Sequence, residues 1–310
     1  MAKRTTQNGL VAAIIVNYNG VNILPDAIDS LKSSDYLNLV VIVVDNNSHD
    51  GSVEMLRDRY PDVVLIQNER NLGFAIGCNQ GIRQAAEMNA RYALFINSDA
   101  MVDAQTVSVL ATFLKDNPQT GAVAPYIFYT HDKDLIWFGG GIVKLWLAHI
   151  AHRHIRRRFV ASDHRAMESD YLTGCIFLAR MDALDAVQGF DESYILYAED
   201  VDLSLKMWRA GWQLWVTPEA RGYHEVSVTS GGELSPFKAY YRGRGTAILL
   251  KRFVTGWEIP TIIIGGILGG VLISGKLMLK GKAKTMLYLW RGILDGLFRQ
   301  HREPWIKLGQ

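Results

Sequence analysis

Cysteine is scarce in this chain, with two residues in 310, Cys78 and Cys175. Each sits among apolar or small neighbours, so no disulfide framework is available. Both are expected as reduced thiols, the pattern of a cytoplasmic catalytic domain. A surplus of one charge is also missing: 33 Lys and Arg against 31 Asp and Glu leave +2, which carries no nucleic-acid signature. The run Met1-Ala2-Lys3-Arg4-Thr5-Thr6-Gln7-Asn8 has no apolar core, so no signal peptide is expected there. No Gly-X-Gly-X-X-Gly follows the first apolar run, which argues against a nicotinamide-dependent oxidoreductase. The same place lacks the Gly-rich, basic phosphate loop expected of a nucleotidyltransferase. Internal repeats and low-complexity tracts are absent.

What is present is a globular composition, 49% hydrophobic and 21% charged, with a mean hydropathy of +0.04 that is slightly high for a fully soluble protein. The length suffices for one large domain, or one domain plus an extension. Val11–Val16, Val40–Val44, Val63–Gln67 and Tyr92–Ile96 are apolar runs that suit buried strands. Between them Leu24–Leu31, Val53–Tyr60 (with Ser52 as N-cap) and Ala75–Met88 have helical character. This alternation predicts a mostly parallel sheet covered by helices, with ligands at the carboxyl ends of the strands. Asn17, Asp45 and Asp99 each fall at such an end. A helix is expected over Asp103–Asn117, and then the pattern loosens. Residues 126–170, with the basic run Arg153–Arg158, read as a long, partly mobile insertion. Order returns with a strand over Tyr171–Leu178, a helix from Met181, and a helix over Asp200–Ala210 with Leu203, Leu205, Met207 and Trp208 buried in part. Gly211 ends that helix.

Three signals carry chemistry. Asn97-Ser98-Asp99 ends a buried strand in a carboxylate and suits a metal-bound nucleotide, although those residue types equally build an ordinary turn. Glu199, Asp200 and Asp202 crowd a loop-to-helix junction. Acids favour a helix N-terminus, but three there also repel, so one has a task beyond capping. Asp200 is the candidate general base, with Glu199 orienting the acceptor or supporting the loop. His224 follows a strand over Gln213–Thr217 and precedes Ser227–Gly232, taken as flexible. Its imidazole suits a divalent ion already held by Asp99 and phosphate oxygens.

The C-terminal part differs. Ile259–Leu279 is almost wholly apolar, broken by five glycines, Pro260 and Lys276. It approaches the ~20 residues that span a bilayer. Lys251 and Arg252 precede it, and Lys280, Lys282, Lys284, Arg291, Arg299 and Arg302 follow. A single span would leave one basic cluster on the wrong side, and the glycine pairs weaken a straight helix. The expectation is a monotopic element that dips into one leaflet or lies in the interface, with the amphipathic run Leu287–Phe298 beside it. The alternative is a soluble helical hairpin packed on the main domain.

These motifs together resemble the family 2 inverting glycosyltransferases, particularly bacterial rhamnosyltransferase-like members. The matching segments are Ile15–Gly20, Val44–Ser52, Asn71–Gly81, Asn97–Asp99, Leu172–Gly174, Gly189–Glu192 and Glu199–Leu203, so the resemblance covers roughly residues 10–250. It implies the GT-A fold, a Rossmann-like, mostly parallel central sheet with flanking helices. The expected division is a catalytic domain over 1–250 and a membrane-associated helical region over 251–310. It further implies a nucleotide-diphosphate-sugar donor, dTDP-rhamnose or a UDP-sugar, and a divalent cation, Mn²⁺ or Mg²⁺. Displacement would invert the anomeric carbon. Asp45 then resembles the acid that reads the nucleobase. Asn17 and Asn79 line the nucleoside pocket, Asn19 joins them in binding the nucleotide sugar, Asn71, Gly73 and Gly77 shape a loop near it, and Asn97 and Ser98 lie beside the metal ligand Asp99. Asn97 stands where the family pattern has the first acid of Asp-X-Asp, so another ligand is needed, which gives His224 its weight. Tyr241-Arg242-Gly243-Arg244-Gly245 replaces the Gln-X-X-Arg-Trp of processive synthases, so a single transfer is expected. The acceptor implied is a glycan or a polyprenyl-diphosphate-linked saccharide at the cytoplasmic face of the inner membrane. Arg153–Arg158 is either a solvated loop or an attractor for such an anionic acceptor or for lipid head groups. An inactive nucleotide-sugar-binding module is the remaining alternative, opposed by the acids at Asp99, Glu199 and Asp200.

Overall fold

The computed structural model describes residues 9–225 and 234–298. The Ser227–Gly232 run, Arg299 and Arg302 lie outside the described residues. The first half alternates as the apolar runs dictate: β1 (Val11–Asn17), α1 (Leu24–Lys32), β2 (Leu39–Asp45), α2 (Ser52–Arg59), β3 (Val64–Gln67), α3 (Phe74–Glu87) and β4 (Tyr92–Ile96). β1 and β2 are near-continuous apolar strands because helices cover both of their faces. A short β5 (Ala100–Val102) and α4 (Thr106–Asp116) lead to the fully buried β6 (Thr120–Tyr129). Then come β7 (Asp132–Phe138), the hairpin β8 (Gly141–Lys144) and β9 (His149–His152), β10 (Met167–Glu168), β11 (Ile176–Arg180), α5 (Met181–Ala186), α6 (Glu199–Arg209) and β12 (Gln213–His224).

The main sheet has the order β10-β12-β6-β11-β4-β1-β2-β3. β3, β2, β1 and β4 are mutually parallel. β11 runs antiparallel between β4 and β6, and β12 returns parallel to β6. One edge of the sheet therefore collects the carboxyl ends of β1, β2, β4 and β12. This is the GT-A architecture.

The structure departs from the expectations in four places. Ser52 is the first helical residue of α2, not its cap, because Gly51 turns the chain at φ 90°. The Ser52 hydroxyl instead donates to Asp50 (2.5 Å) and accepts from Gly20 N–H (3.2 Å). The strand expected from Tyr171 starts only at Ile176, since the preceding amides go to side chains: Leu172 N–H to Ser204 Oγ (3.0 Å) and Gly174 N–H to Asp200 Oδ2 (2.9 Å). Residues 126–170 are ordered rather than loose. Tyr126, Phe128, His154, Phe159 and His164 pack ring on ring, and Arg156 and Arg157 exchange backbone bonds with Ile136 (2.7 and 2.9 Å). Trp208, expected in part buried, is turned outward on α6.

The C-terminal elements are α7 (Pro236–Phe253), α8 (Glu258–Leu279) and α9 (Ala283–Phe298). The division expected near residue 250 falls inside α7. Gly292 and Gly296 of α9 lie against the carbonyls of Tyr240 and Arg244, with no room for a Cβ, and Tyr240 OH donates to Asp295 (2.8 Å). α9 thus packs on α7, while its opposite stripe of Leu287, Leu294 and Phe298 stays exposed. α8 is one continuous helix despite its glycines, and it is largely exposed.

Candidate active site

The loops after β1 and β2 are sewn into one frame. Asn17 and Asp45 are the last residues of adjacent strands and face each other in register. Asp45 Oδ2 accepts from Asn17 Nδ2 (2.8 Å) and Ser48 Oγ (2.6 Å), and Oδ1 accepts from Ser48 N–H (2.9 Å). Both side chains are fully buried, so Asp45 spends its acceptors inside the frame. Asn19, at φ 53°, donates its N–H to Ser48 Oγ (2.8 Å) and accepts from His49 N–H (2.9 Å).

The loop before α3 joins this frame through Asn46, a residue that sequence reasoning did not single out. Asn46 Nδ2 donates to Gly73 O (3.2 Å), and Oδ1 accepts from Asn68 (2.9 Å). Asn71 Oδ1 accepts from Gly73 N–H (3.0 Å). Gly73 has φ 86°, and a Cβ there would stand 2.6 Å from the Ile195 carbonyl, so glycine is required on both counts. Asn79, expected at the nucleoside pocket, spends its amide on the loop before α6. Its amide accepts from Phe190 N–H (2.9 Å) and donates to Phe190 O (2.9 Å) and Glu192 (3.0 Å), pinning the 189–192 loop.

Asn97-Ser98-Asp99 forms the turn between β4 and β5, closed by Ala100 N–H on Asn97 O (3.1 Å). β12 pairs with β5 so that His224 lies opposite Ala100. His224 Nε2 therefore stands 3.2 Å from Asp99 Oδ1, both side chains nearly buried. Trp137 packs edge-on against the imidazole (centroids 4.4 Å apart), with His152 behind it (4.7 Å). The buried His224 Nδ1 finds no hydrogen-bond partner among the described residues. At this distance the two groups meet directly as a hydrogen-bonded pair, and the same spacing suits two donors to one cation. Two donors at right angles, each about 2.1 Å from one ion, stand about 3.0 Å apart. Among the described residues no cluster of three or more His, Cys, Asp or Glu is placed for a metal, so the other positions would fall to phosphate oxygens and water.

The third part is an elbow. Tyr197 (φ 67°) and Ala198 (φ 72°) are consecutive left-handed residues without being glycine, a strained turn that launches α6. Gly245 of α7 lies against the Tyr197 carbonyl and holds it there. Glu199 is buried, with Oε2 unpartnered, and burial plus the Asp200 charge push its carboxyl up from 4.5 to about 8. Burial also raises Asp200, against hydrogen bonds from the Gly174 and Val201 amides. Burial and their mutual repulsion thus push both carboxyls of the pair toward the protonated form.

Leu172–Cys175 is the bridge between the two acid centres. Cys175 O accepts Asn97 N–H (2.9 Å), and Gly174 N–H donates to Asp200. The buried Cys175 thiol is pushed up by burial and then by both Asp99 and Asp200, so the carboxylates flank it. A second overlooked residue is Arg252, counted in the sequence only as a basic flank. It donates to the fully buried Asp202 (2.8 Å) and pairs with Asp191, joining α7 to α6 and to the 189–192 loop.

One edge of this α/β sheet thus carries a loop frame, an Asp–His pair and two adjacent acids. The model of glycosyl transferase family 2 matches residues 12–187, more than half of the chain, and the chain belongs to that family. It is 26% identical over 270 residues to N-acetylglucosaminyl-diphospho-decaprenol L-rhamnosyltransferase of Mycobacterium tuberculosis, covering 81% of this chain and 87% of that one. It is 25% identical over 253 residues to dTDP-rhamnosyl transferase RfbF of Shigella flexneri, covering 79% and 81%. In fold it resembles a mannosyltransferase of Pyrobaculum calidifontis solved with GDP-Man and Mn²⁺, with TM-score 0.59, 15% identity, and coverage of 94% and 88%.

Proposed function

We propose that this family 2 glycosyltransferase moves one sugar, with inversion, from a nucleotide-diphosphate sugar to a hydroxyl of a lipid-linked saccharide at the cytoplasmic face of a membrane. Rhamnose from dTDP-rhamnose is the favoured donor sugar, supported by the names of the two relatives, with a UDP-sugar next. The observation that carries the mechanism is the acid pair at the strained elbow, held across Gly174 from the Asp99 turn. Asp200 takes the proton from the acceptor hydroxyl as that oxygen bonds to the anomeric carbon. The bond from that carbon to the diphosphate oxygen breaks, and the nucleoside diphosphate leaves. Glu199, protonated beside it, leaves the negative charge on Asp200 and supports the loop.

Asp99 and His224 would hold a Mn²⁺ or Mg²⁺ ion. Such an ion neutralises charge on the departing diphosphate. Asn17, Asn19 and Asp45 frame the nucleoside side, with Asn71 and Gly73 closing it and Asn97 and Ser98 beside the phosphates. Residues 1–250 carry the chemistry. Within residues 251–310 it is α8 that serves the membrane, a 22-residue helix whose most apolar 18-residue stretch has mean hydropathy 2.1. The test is a donor screen by nucleoside-diphosphate release, with and without added Mn²⁺ or Mg²⁺ and with prenyl-diphosphate-linked acceptors. Absence of release from every sugar nucleotide would sink the proposal.

A further inference from the structure

The β8–β9 hairpin presents an apolar tip that the catalytic reading leaves unused. Leu145 packs against the main core together with Val143 and Ile150. Trp146 and Leu147, next in the chain, do the opposite and are 41% and 54% exposed. The hairpin is nevertheless firmly held. Gly141 N–H donates to Ser169 Oγ (2.7 Å) and Val143 N–H to Asp170 Oδ2 (2.9 Å). A braced scaffold that pushes a tryptophan and a leucine into solvent pays a hydration cost that burial elsewhere must recover.

Two more indoles point outward in the same region. Trp208, at the end of α6, is 67% exposed and lines a cavity of about 580 Å³ with Leu145 and Trp146. Glu258, the first residue of α8, lines that cavity too, and Trp257 just before it is 72% exposed. The hairpin tip therefore adjoins the start of the long apolar helix. Lys144, Glu168, Asp170 and Glu258 surround the indoles, so the patch carries both signs of charge. Exposed tryptophans among mixed charges match the headgroup layer of a bilayer, which is itself zwitterionic, better than its hydrocarbon interior.

We propose that Trp146 and Leu147 of the hairpin tip, with Trp208 and Trp257, form a second membrane foot that seats in the interfacial layer beside α8. This rests on the membrane reading above and adds to it. A single helix leaves the catalytic unit free to turn about the helix axis. A second contact at the start of α8 removes that freedom, so the cleft keeps one orientation to lipid-borne acceptors.

Cys78 and Cys175 are both buried, so a new surface cysteine can be labelled selectively in the full chain. Three variants receive an environment-sensitive fluorophore: Leu147→Cys on the hairpin, Leu272→Cys on the exposed side of α8, and Asp58→Cys on α2, the connection between β2 and the edge strand β3. Each is mixed with vesicles of phosphatidylcholine, alone or with phosphatidylglycerol. The expected result is a blue shift at 147 and 272 with both vesicle types, and none at 58. In addition, Trp146→Ser combined with Leu147→Ser lowers vesicle partition at least about tenfold and leaves nucleoside-diphosphate release in detergent unchanged. A shift at 272 without one at 147 overturns the second foot and leaves the membrane reading standing. No shift at either overturns both. A shift at 147 that grows with protein concentration in the absence of vesicles assigns the patch to a second copy of the chain and overturns the proposal.

Discussion

At the scale of single residues, the acid pair separates two roles that the sequence could only place side by side. Burial next to Asp200 pushes Glu199 up to about 8, which favours its protonated form at neutral pH. Glu199→Gln is a neutral isostere of that state and is expected to keep transfer within about tenfold of the native rate at pH 7. Asp200→Asn removes the proton acceptor and should cost on the order of 10²–10⁴-fold. Steady-state rates of the two variants decide this, and equal losses would overturn the division of labour. The same shift has a sign for stability. Glu199 ordinarily titrates near 4.5, so between that pH and about 8 the folded chain keeps a proton that the unfolded chain has released. Stability from this group is complete below 4.5 and drains away as pH climbs through 8. Urea midpoints at pH 5 and pH 8.5 should therefore fall less for Glu199→Gln than for the native chain. Asn97-Ser98-Asp99 shows why residue types alone do not settle a site. It is a turn by its hydrogen bonding, and it also delivers a carboxylate to His224.

At the scale of elements, the parallel half of the sheet was legible because β1, β2 and β4 are uninterrupted apolar runs, and their ends fell within a residue or so of the reading. The hairpin and β7 were not legible. Their order comes from aromatic packing between residues far apart, such as Phe128 with Phe159 and Trp137 with His224, which no local periodicity records. The bonds of Asn79 were hidden for a similar reason: its partners, Phe190 and Glu192, are more than a hundred positions away. Arg252 is the strongest case. It lies on α7, while its partners Asp191 and Asp202 belong to two acidic motifs, one of them on the helix that carries the acid pair. Arg252→Ala leaves the fully buried Asp202 with Lys206, 3.7 Å away, as its cationic partner among the described residues. The expected loss is about 3 kcal/mol, since a buried ion pair broken on one side strands a charge. Chemical denaturation measures it. The double variant Arg252→Ala with Asp202→Asn should recover part of the loss, and a double variant no better than the single one would contradict the stranded-charge account.

At the scale of the whole molecule, the three C-terminal helices divide into two that pack together, α7 and α9, and one that faces outward, α8. Cutting the chain after Arg252 would remove α9 along with α8 and expose the α7 surface that Gly292 and Gly296 cover, so loss of activity in such a truncation would say little about membranes. Substitution on the outer face of α8 is the cleaner experiment. Ile264, Val271, Leu272 and Leu279 are exposed side chains, so serine at all four positions removes apolar surface without opening the core. Each aliphatic side chain withdrawn from lipid contributes about 1.5–3 kcal/mol, and four together lower membrane partition by several orders of magnitude. The native chain should then need detergent for extraction and float with vesicles, while the four-serine variant stays in the aqueous fraction. Nucleoside-diphosphate release with a water-soluble acceptor analogue should be unchanged in the variant, because the acid pair and the Asp99–His224 pair are built from other elements. Transfer to a prenyl-linked acceptor embedded in vesicles should fall sharply. A native chain that stays soluble without detergent and transfers equally well to soluble and vesicle-borne acceptors would remove the membrane from the function of this enzyme.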